Sequence, residues 1–210
     1  DLTGGEAGVL AAMDASTRRA VAKAGREGVT ASADTSEAAL RAFYALHART
    51  RRRHGLPPPP FSFFKCLREH VLLTGHGFIV LARQEGRPLA AAVFVHFGGK
   101  ALFKYGASDE RYQDRRPSNL AMWEGIRQCL ARGCRELCLG RTERDHSGLR
   151  RFKRGWGTTE EEWGYYRYDF RQENFVVQSD HIAGAPHRFF RIAPYPLSRV
   201  LGAVLYRHMG

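Results

Sequence analysis

The sequence predicts a mixed α/β (α+β) domain in which a mostly antiparallel central sheet is flanked by helices. Three observations predict it. Residues 89–97, LAAAVFVHF, are apolar almost throughout, as a central strand covered on both faces must be. The dipeptides Glu85-Gly86 and Gly98-Gly99 on either side are tight-turn sequences, and they tie this strand to runs 78–83 and 101–105 as hairpins. The full order reads strand, two helices, three strands, helix, strand, helix, strand, which lets helices cover both faces of one sheet.

Residues 1–15 are small and rich in Gly and Ala, and carry little pattern. Ser16 is the expected cap of a basic helix running to Arg26, with Gly28 as its stop. Its Arg18, Arg19, Lys23 and Arg26 either reach phosphates or form a solvated basic face. Residues 29–33 read as a short strand. Ser36 starts a helix with Leu40, Phe43, Tyr44, Leu46 and His47 inward, and Gly55 with the prolines at 57–60 breaks the chain after it. Residues 61–73 are helical and 75–77 turn into the strands. After the loop 106–117, Ser118 is the expected cap of a helix with Leu120, Trp123, Ile126 and Leu130 inward and Gly133 at its end.

The most informative stretch follows. An apolar strand at 137–139 stops at Gly140-Arg141, and Ser147 is the expected cap of a short helix. Leu149, Phe152 and Trp156 share one helical face, while Arg150, Arg151, Lys153 and Arg154 fill the others. Gly155 and Gly157 form the exit, and the aromatic-rich run 163–170 reads as a last strand. Residues 172–186 are polar and irregular. Residues 196–208 are amphipathic, suited either to an anionic membrane or to docking on the protein's own body. The expected division is a basic N-terminal helix within 1–28, a candidate remnant of a preceding domain; the α/β domain at 29–170; and an extension at 171–210.

Lys and Arg number 33 against 21 Asp and Glu, a formal net charge of +12 that favours polyanionic partners. The excess is spread along the chain. No apolar run reaches the ~20 residues needed to span a bilayer, and the start lacks the charge and apolar core of a signal peptide. Asp1 is not a natural initiator, so a trimmed or longer chain is expected. Cys66, Cys129, Cys134 and Cys138 have no paired CxxC spacing, so small buried thiols, reduced in a cytosolic protein, are expected, with no metal site.

Gly140-Arg141, Gly148 and the run Phe152-Lys153-x-x-Trp156-Gly157 resemble the end of the acyltransferase domain of the Fem family. These are the peptidoglycan-bridge aminoacyltransferases and their exopolysaccharide-associated relatives, built on the GNAT fold. Upstream, the run from Thr17 to Ala24 followed by Gly28-Val29 is similar to that family's basic helix, and Gly86-Arg87-Pro88-Leu89 to its central hairpin. The resemblance covers roughly residues 16–169 and implies a GNAT fold and an acyl-transfer chemistry.

In GNAT enzymes that use coenzyme A, a Gly-rich loop before a helix receives the pyrophosphate, because only small residues let phosphate approach the amides. Here the corresponding run is Gln113-Asp114-Arg115-Arg116-Pro117-Ser118, with Arg116 and Ser118 in place of glycines and no N–H on Pro117. Tightly bound coenzyme A is therefore not expected. Ser118 and Asn119 remain candidates for binding an anion at the helix start. The resemblance implies an aminoacyl-tRNA donor or, less well supported, an acyl-CoA. It makes Lys153 the positive group at the developing oxyanion and Phe152 a wall of the acyl pocket. Arg141, at a strand's carboxyl end, is placed either for a phosphate or carboxylate or for an ion pair with Glu143 or Asp145. Arg154 is a candidate for substrate binding through the basic helix face. Tyr105, at another strand end, is a candidate too, with packing as its alternative. Asp145 and His146 look like half of a pairing of general base and orienting group, but the family needs no protein base, so neither is assigned. Replacing Lys153 by Met is expected to move stability by no more than ~0.5 kcal/mol, as at a surface position.

The expected function is transfer of an aminoacyl or acyl group to an amine of a cell-envelope precursor, peptidoglycan or exopolysaccharide. A cytoplasmic location is expected, peripheral to the inner face of the membrane through the 196–208 segment. The alternatives are a coenzyme-A-dependent N-acyltransferase and a non-catalytic module binding RNA or another polyanion.

Overall fold

The computed structural model describes residues 1–164 and 166–176. Two short N-terminal helices, α1 (Gly5–Ala12) and α2 (Ala15–Arg26), precede an edge strand β1 (Thr30–Asp34). Helix α3 (Glu37–Arg53) starts where the sequence indicates, with the Ser36 hydroxyl accepting from the Ala39 amide at 3.1 Å. Helix α4 (Phe61–Leu67) runs on as a π-helical stretch, Arg68–His76, and then come β2 (Gly77–Gln84), β3 (Arg87–Phe97) and β4 (Lys100–Ser108). Both connecting turns have two consecutive residues at positive φ, namely Glu85 and Gly86, then Gly98 and Gly99, as two-residue hairpins require. A 3₁₀ turn, Glu110–Arg115, leads to α5 (Pro117–Ala131), β5 (Glu136–Cys138) and α6 (Ser147–Arg154), and β6 (Arg167–Asp169) and β7 (Asn174–Val176) end the described chain.

The five-stranded sheet runs β1-β2-β3-β4-β5, antiparallel except for the parallel pair β4–β5. Strand alternation builds a core on each face. Phe78, Val80, Ala82, Ala92 and Phe94 face α5 and α2, while Ile79, Leu81, Ala91 and Val93 face α3 and α4. Helix α5 lies very close to the sheet: a Cβ on Gly125 would sit 2.1 Å from the Phe94 ring. A β-bulge interrupts the β3–β4 register, where Val93 faces Tyr105 but Phe94 faces Phe103, leaving Lys104 as the extra residue. Strand β5 pairs with β4 over three residues only, ending at Leu102 and Cys138; β4 then continues to Ser108 paired on its other side with β3.

Several expectations are corrected. Ser16, Ser118 and Ser147 are not caps: their helices begin earlier, with Asp14, Arg116 and His146 at the cap positions and no side-chain cap bond. The buried face of α5 is Ala121, Met122, Gly125, Ile126 and Cys129, leaving Leu120, Trp123 and Leu130 half-buried, because Gly125 rather than a bulky residue meets Phe94. Cys66 and Cys138 are exposed; only Cys129 and Cys134 are buried. The unassigned N-terminus packs: Leu2, Val9 and Met13 join the α5-side core. The last strand is shorter than expected and pairs with β7 in a separate two-stranded sheet, and Trp163 is exposed. Residues 196–208 lie outside the described residues. No described helix is long and apolar enough to cross a membrane.

Candidate active site

Where β4 and β5 part, a cleft of about 1300 Å³ opens at the edge of the sheet, lined by α2 and α5 from one face and by Thr50, Arg53 and His54 at the end of α3 from the other. Its floor is small and apolar: Ala91, Ala92, Leu102, Phe103, Ala121, Met122 and Leu139. The Phe103 ring sits at the apex, in contact with Phe94 at 5.5 Å between centroids and beside Gly106. The walls are charged in one sense only. Among the described residues, nine basic ones line the cleft, including Arg19, Lys23, Arg26, Arg116 and Arg151, and no Asp or Glu does. His54, also in the lining, has its pKa lowered by burial and then by Arg53, which favours its neutral form.

Five of the residues singled out from the sequence meet here: Phe152, Lys153, Arg141, Ser118 and Asn119. Phe152 packs edge-on against the buried Trp156, with ring centroids 6.1 Å apart. Arg141 ion-pairs with Glu143 at 3.0 Å, both side chains well exposed. Lys153 departs from the surface position expected for it, being only 9% exposed. Its ammonium donates to the Gly140 carbonyl at 2.7 Å, the Arg141 carbonyl at 3.1 Å and the Thr142 hydroxyl at 2.6 Å. An ammonium has three N–H donors, so this set uses all of them. Burial also lowers its pKa. Lys153 thus ties α6 to the loop that leaves β5, and its N–H groups point at protein acceptors rather than into open cleft.

Two candidates lie elsewhere. Tyr105 is on the opposite face of the sheet, edge-on to Phe64 at 5.4 Å and His47 at 5.5 Å, because the Lys104 bulge reverses which face the strand presents. Arg154 is 58% exposed and shares Glu160 with Arg150 outside the cleft. The cations that sequence reading left unassigned to the site are mainly those of α2, although the 19, 23, 26 spacing that places them on one helical face was visible.

The start of α5 tests the fit of coenzyme A. Pro117 has no N–H, and the amides of Asn119 and Leu120 already donate to the Arg116 carbonyl, at 3.1 and 3.4 Å. Only the Ser118 amide of the first turn is uncommitted to backbone, where a pyrophosphate cradle needs several converging amides. Arg116 holds the left-handed conformation, φ 57°, that a glycine would adopt without strain, and adds a side chain there. The residues present do not fit a tightly cradled pyrophosphate.

The fold has known counterparts. The solved structure of FemX superposes with a TM-score of 0.66 at 17% identity, over 72% of this chain and 56% of that one. An aminoglycoside N-acetyltransferase, AAC(6')-Iy in complex with coenzyme A, gives 0.54 at 14% identity, over 68% of this chain and 95% of that one. At these identities the likeness is one of fold alone. In sequence, the chain is 33% identical over 95 residues to the lipid II:glycine glycyltransferase of Staphylococcus epidermidis, covering 42% of this chain and 23% of that protein. It therefore spans less than a quarter of that relative's length. The acetyltransferase (GNAT) domain profile matches residues 12–154, from the end of α1 to the end of α6. The chain belongs to the GNAT acetyltransferase domain family.

Proposed function

We propose that this domain transfers an aminoacyl group from aminoacyl-tRNA to an amine of a cell-envelope precursor, in the manner of the Fem enzymes. The observation that carries the reading is the cleft at the parting of β4 and β5, lined among the described residues by nine basic and no acidic ones and lacking a pyrophosphate cradle at α5. Such a surface favours a donor carrying several dispersed phosphates over one with a single compact pyrophosphate. The 33% identity to a lipid II:glycine glycyltransferase supports the acceptor class, with peptidoglycan ahead of exopolysaccharide.

Within this reading Phe152 and Phe103 bound the acyl pocket and exclude water from it. The positive walls stabilise the oxyanion that forms when the amine attacks the ester. Lys153 serves chiefly as a positioning residue, holding the Gly140–Thr142 loop and, with it, Arg141 at the cleft. Ser118 and Asn119, at the positive end of α5, are anion-binding residues. An aminoacyl-tRNA donor places the reaction in the cytoplasm, and a lipid-linked acceptor brings it to the inner membrane face.

A donor screen tests this. The protein is given acetyl-CoA or charged tRNA with an amine-bearing peptidoglycan precursor, and product is followed by mass. Transfer from charged tRNA alone is expected. Transfer from acetyl-CoA alone would move the assignment to a coenzyme-A-dependent N-acyltransferase, and no transfer from either, with RNA binding intact, to a binding module.

A further inference from the structure

The last turn of α3 is pinned to the end of β4. The Thr50 hydroxyl donates to the Ser108 carbonyl at 3.3 Å and accepts from the Ser108 amide at 3.2 Å. Arg49 pairs with Asp109 at 3.4 Å, and Arg53 with Glu110 at 3.6 Å. His54 closes this turn, its amide donating to the Thr50 carbonyl at 3.2 Å. These bonds hold His54 in the cleft wall, on the face of the sheet opposite α2 and α5. The cleft is therefore reached from both faces at the sheet edge. A donor held by the cations of α2 and the start of α5 fills one side, so an incoming amine meets the acyl carbon from the other, past His54.

The chemistry of the wall singles out that histidine. The nine basic side chains of the lining are Arg and Lys, which donate hydrogen bonds and offer no lone pair. Among the described residues the lining holds no Asp, Glu, Cys or Tyr, so His54 is its one titratable side chain with a lone pair for a proton. Its ring nitrogens have no hydrogen-bond partner among the described residues. Partial burial, and then the charges of Arg53, His146 and Arg51, hold its pKa below the ordinary 6.5, so the ring is uncharged at neutral pH. Arg51 and Arg53 lie on its own helix and His146 ahead of α6, while Glu110 offsets Arg53 from the 3₁₀ turn. The side chain keeps enough exposure to pass a proton on to water.

We infer that His54 is the proton acceptor for the attacking amine, the general base of the acyl transfer. The inference rests on the acyl-transfer reading and adds to it a catalytic group on the acceptor side. The amine arrives as an ammonium, and the cations around the cleft favour loss of its charge. One proton passes to His54, and the free amine attacks the ester carbon, forming the C–N bond. As the C–O bond breaks, a second proton moves from nitrogen to the leaving oxygen, giving amide and alcohol. The imidazolium, itself disfavoured by its cationic neighbours, then releases its proton to water.

The test is the pH profile of kcat for transfer from charged tRNA to the amine-bearing precursor, in the wild type, His54→Gln and His54→Ala. General bases typically contribute ~100- to 10,000-fold, and a loss of about 100-fold is expected because water remains as a poorer acceptor. KM should hold. The wild-type rate should fall with acid as His54 takes up its proton, at a pH below 6.5, and His54→Gln should lack that limb. Added imidazole should restore His54→Ala. His70→Gln, at an exposed histidine of the π-helical stretch, should match the wild type throughout. Melting temperatures should agree across the set, since neither histidine is in the core. If His54→Gln keeps the wild-type rate and profile, the inference fails and the acyl-transfer reading stands. The same holds if it loses rate but keeps the acid limb, and imidazole does nothing for His54→Ala. A wild type that uses acetyl-CoA instead removes the aminoacyl-tRNA reading, and the same profiles on that donor then uphold or overturn His54. A wild type that transfers from neither donor overturns both.

Discussion

The Lys153 ammonium donates to the carbonyl of Gly140, 13 residues earlier, across a distance of 2.7 Å. Gly140 stands at φ 71°, where the chain turns out of β5, so the bond fixes the bend at the mouth of the cleft. Lys153→Met removes this bond and those to Arg141 and Thr142 together. The three bonds are part-buried, and losing partners there typically costs ~1–3 kcal/mol, so a loss of about 2–3 kcal/mol is expected for the set. At roughly 2–4 °C per kcal/mol for a chain of this size, melting falls by ~5–10 °C. Aminoacyl transfer falls with it. Arg154→Met should stay within ~0.5 kcal/mol and keep near wild-type activity. A Lys153→Met protein of unchanged melting temperature whose kcat falls ~100- to 1,000-fold would return the lysine to a direct oxyanion role.

Trp156, 5% exposed and two residues past the end of α6, should show the cost of a cavity without chemistry. Trp156→Ala is expected to lose ~3–5 kcal/mol in urea unfolding. Where the variant is still folded, turnover per folded molecule should be near normal. A folded but inactive variant would place the indole in the site itself.

Gly125 should resist even the smallest addition. The methyl of Gly125→Ala would overlap the Phe94 ring, which is fully buried and has little room to move. The gain in helix propensity is at most ~1 kcal/mol, against overpacking of ~1–3 kcal/mol or more. A net loss of about 1–2 kcal/mol is expected by chemical denaturation, and a stabilised variant would contradict the close α5–β3 approach.

For the donor, titration calorimetry with acetyl-CoA is expected to give a dissociation constant no tighter than ~10 μM, about −7 kcal/mol. Tighter binding would mean that the committed Asn119 and Leu120 amides and the Arg116 side chain are not the obstacles they form here.

Acid should act through Asp109. This carboxylate is 5% exposed and accepts from Arg111 at 2.6 and 2.9 Å; that hydrogen bonding, chiefly, holds its pKa at about 2 against an ordinary 3.8. A lowered carboxylate pKa stabilises the fold fully above the unfolded value of 3.8, and the contribution is lost as pH falls through about 2. Because Arg111 and Arg49 are more than half exposed, solvent screening reduces the effect to about 1–2 kcal/mol. The urea midpoint should therefore drop more steeply between pH 4 and pH 2 in the wild type than in Asp109→Asn. Parallel profiles would remove Asp109 from the account.

The sequence by itself determined what depends on near neighbours. The near-continuous apolar runs of residues 78–83 and 89–97, the paired turn residues at 85–86 and 98–99, and the Ser36 cap are local physics, and the fold follows from them with the order of elements. The Phe152-Lys153 helix was legible for the same reason, its apolar and basic residues falling on separate faces. Only the tertiary structure decided which side chains reach the cleft. One extra residue in β4, Lys104, turns Tyr105 toward α3 and leaves Phe103 facing the cleft, and nothing in the order of residues 101–105 marks a bulge. Lys153 looks like its solvated neighbours in sequence and is buried because the loop after β5 folds over it, bringing two carbonyls and a hydroxyl from 11 to 13 residues away to its ammonium. The cations of α2 gained their meaning in the same way. A basic helix face is compatible with plain solvation until packing against α5 and α6 sets it across an opening that no carboxylate among the described residues lines. Charge and periodicity belong to a segment, whereas a site belongs to the distances between segments, and those are fixed only when the cores on both faces of the sheet close.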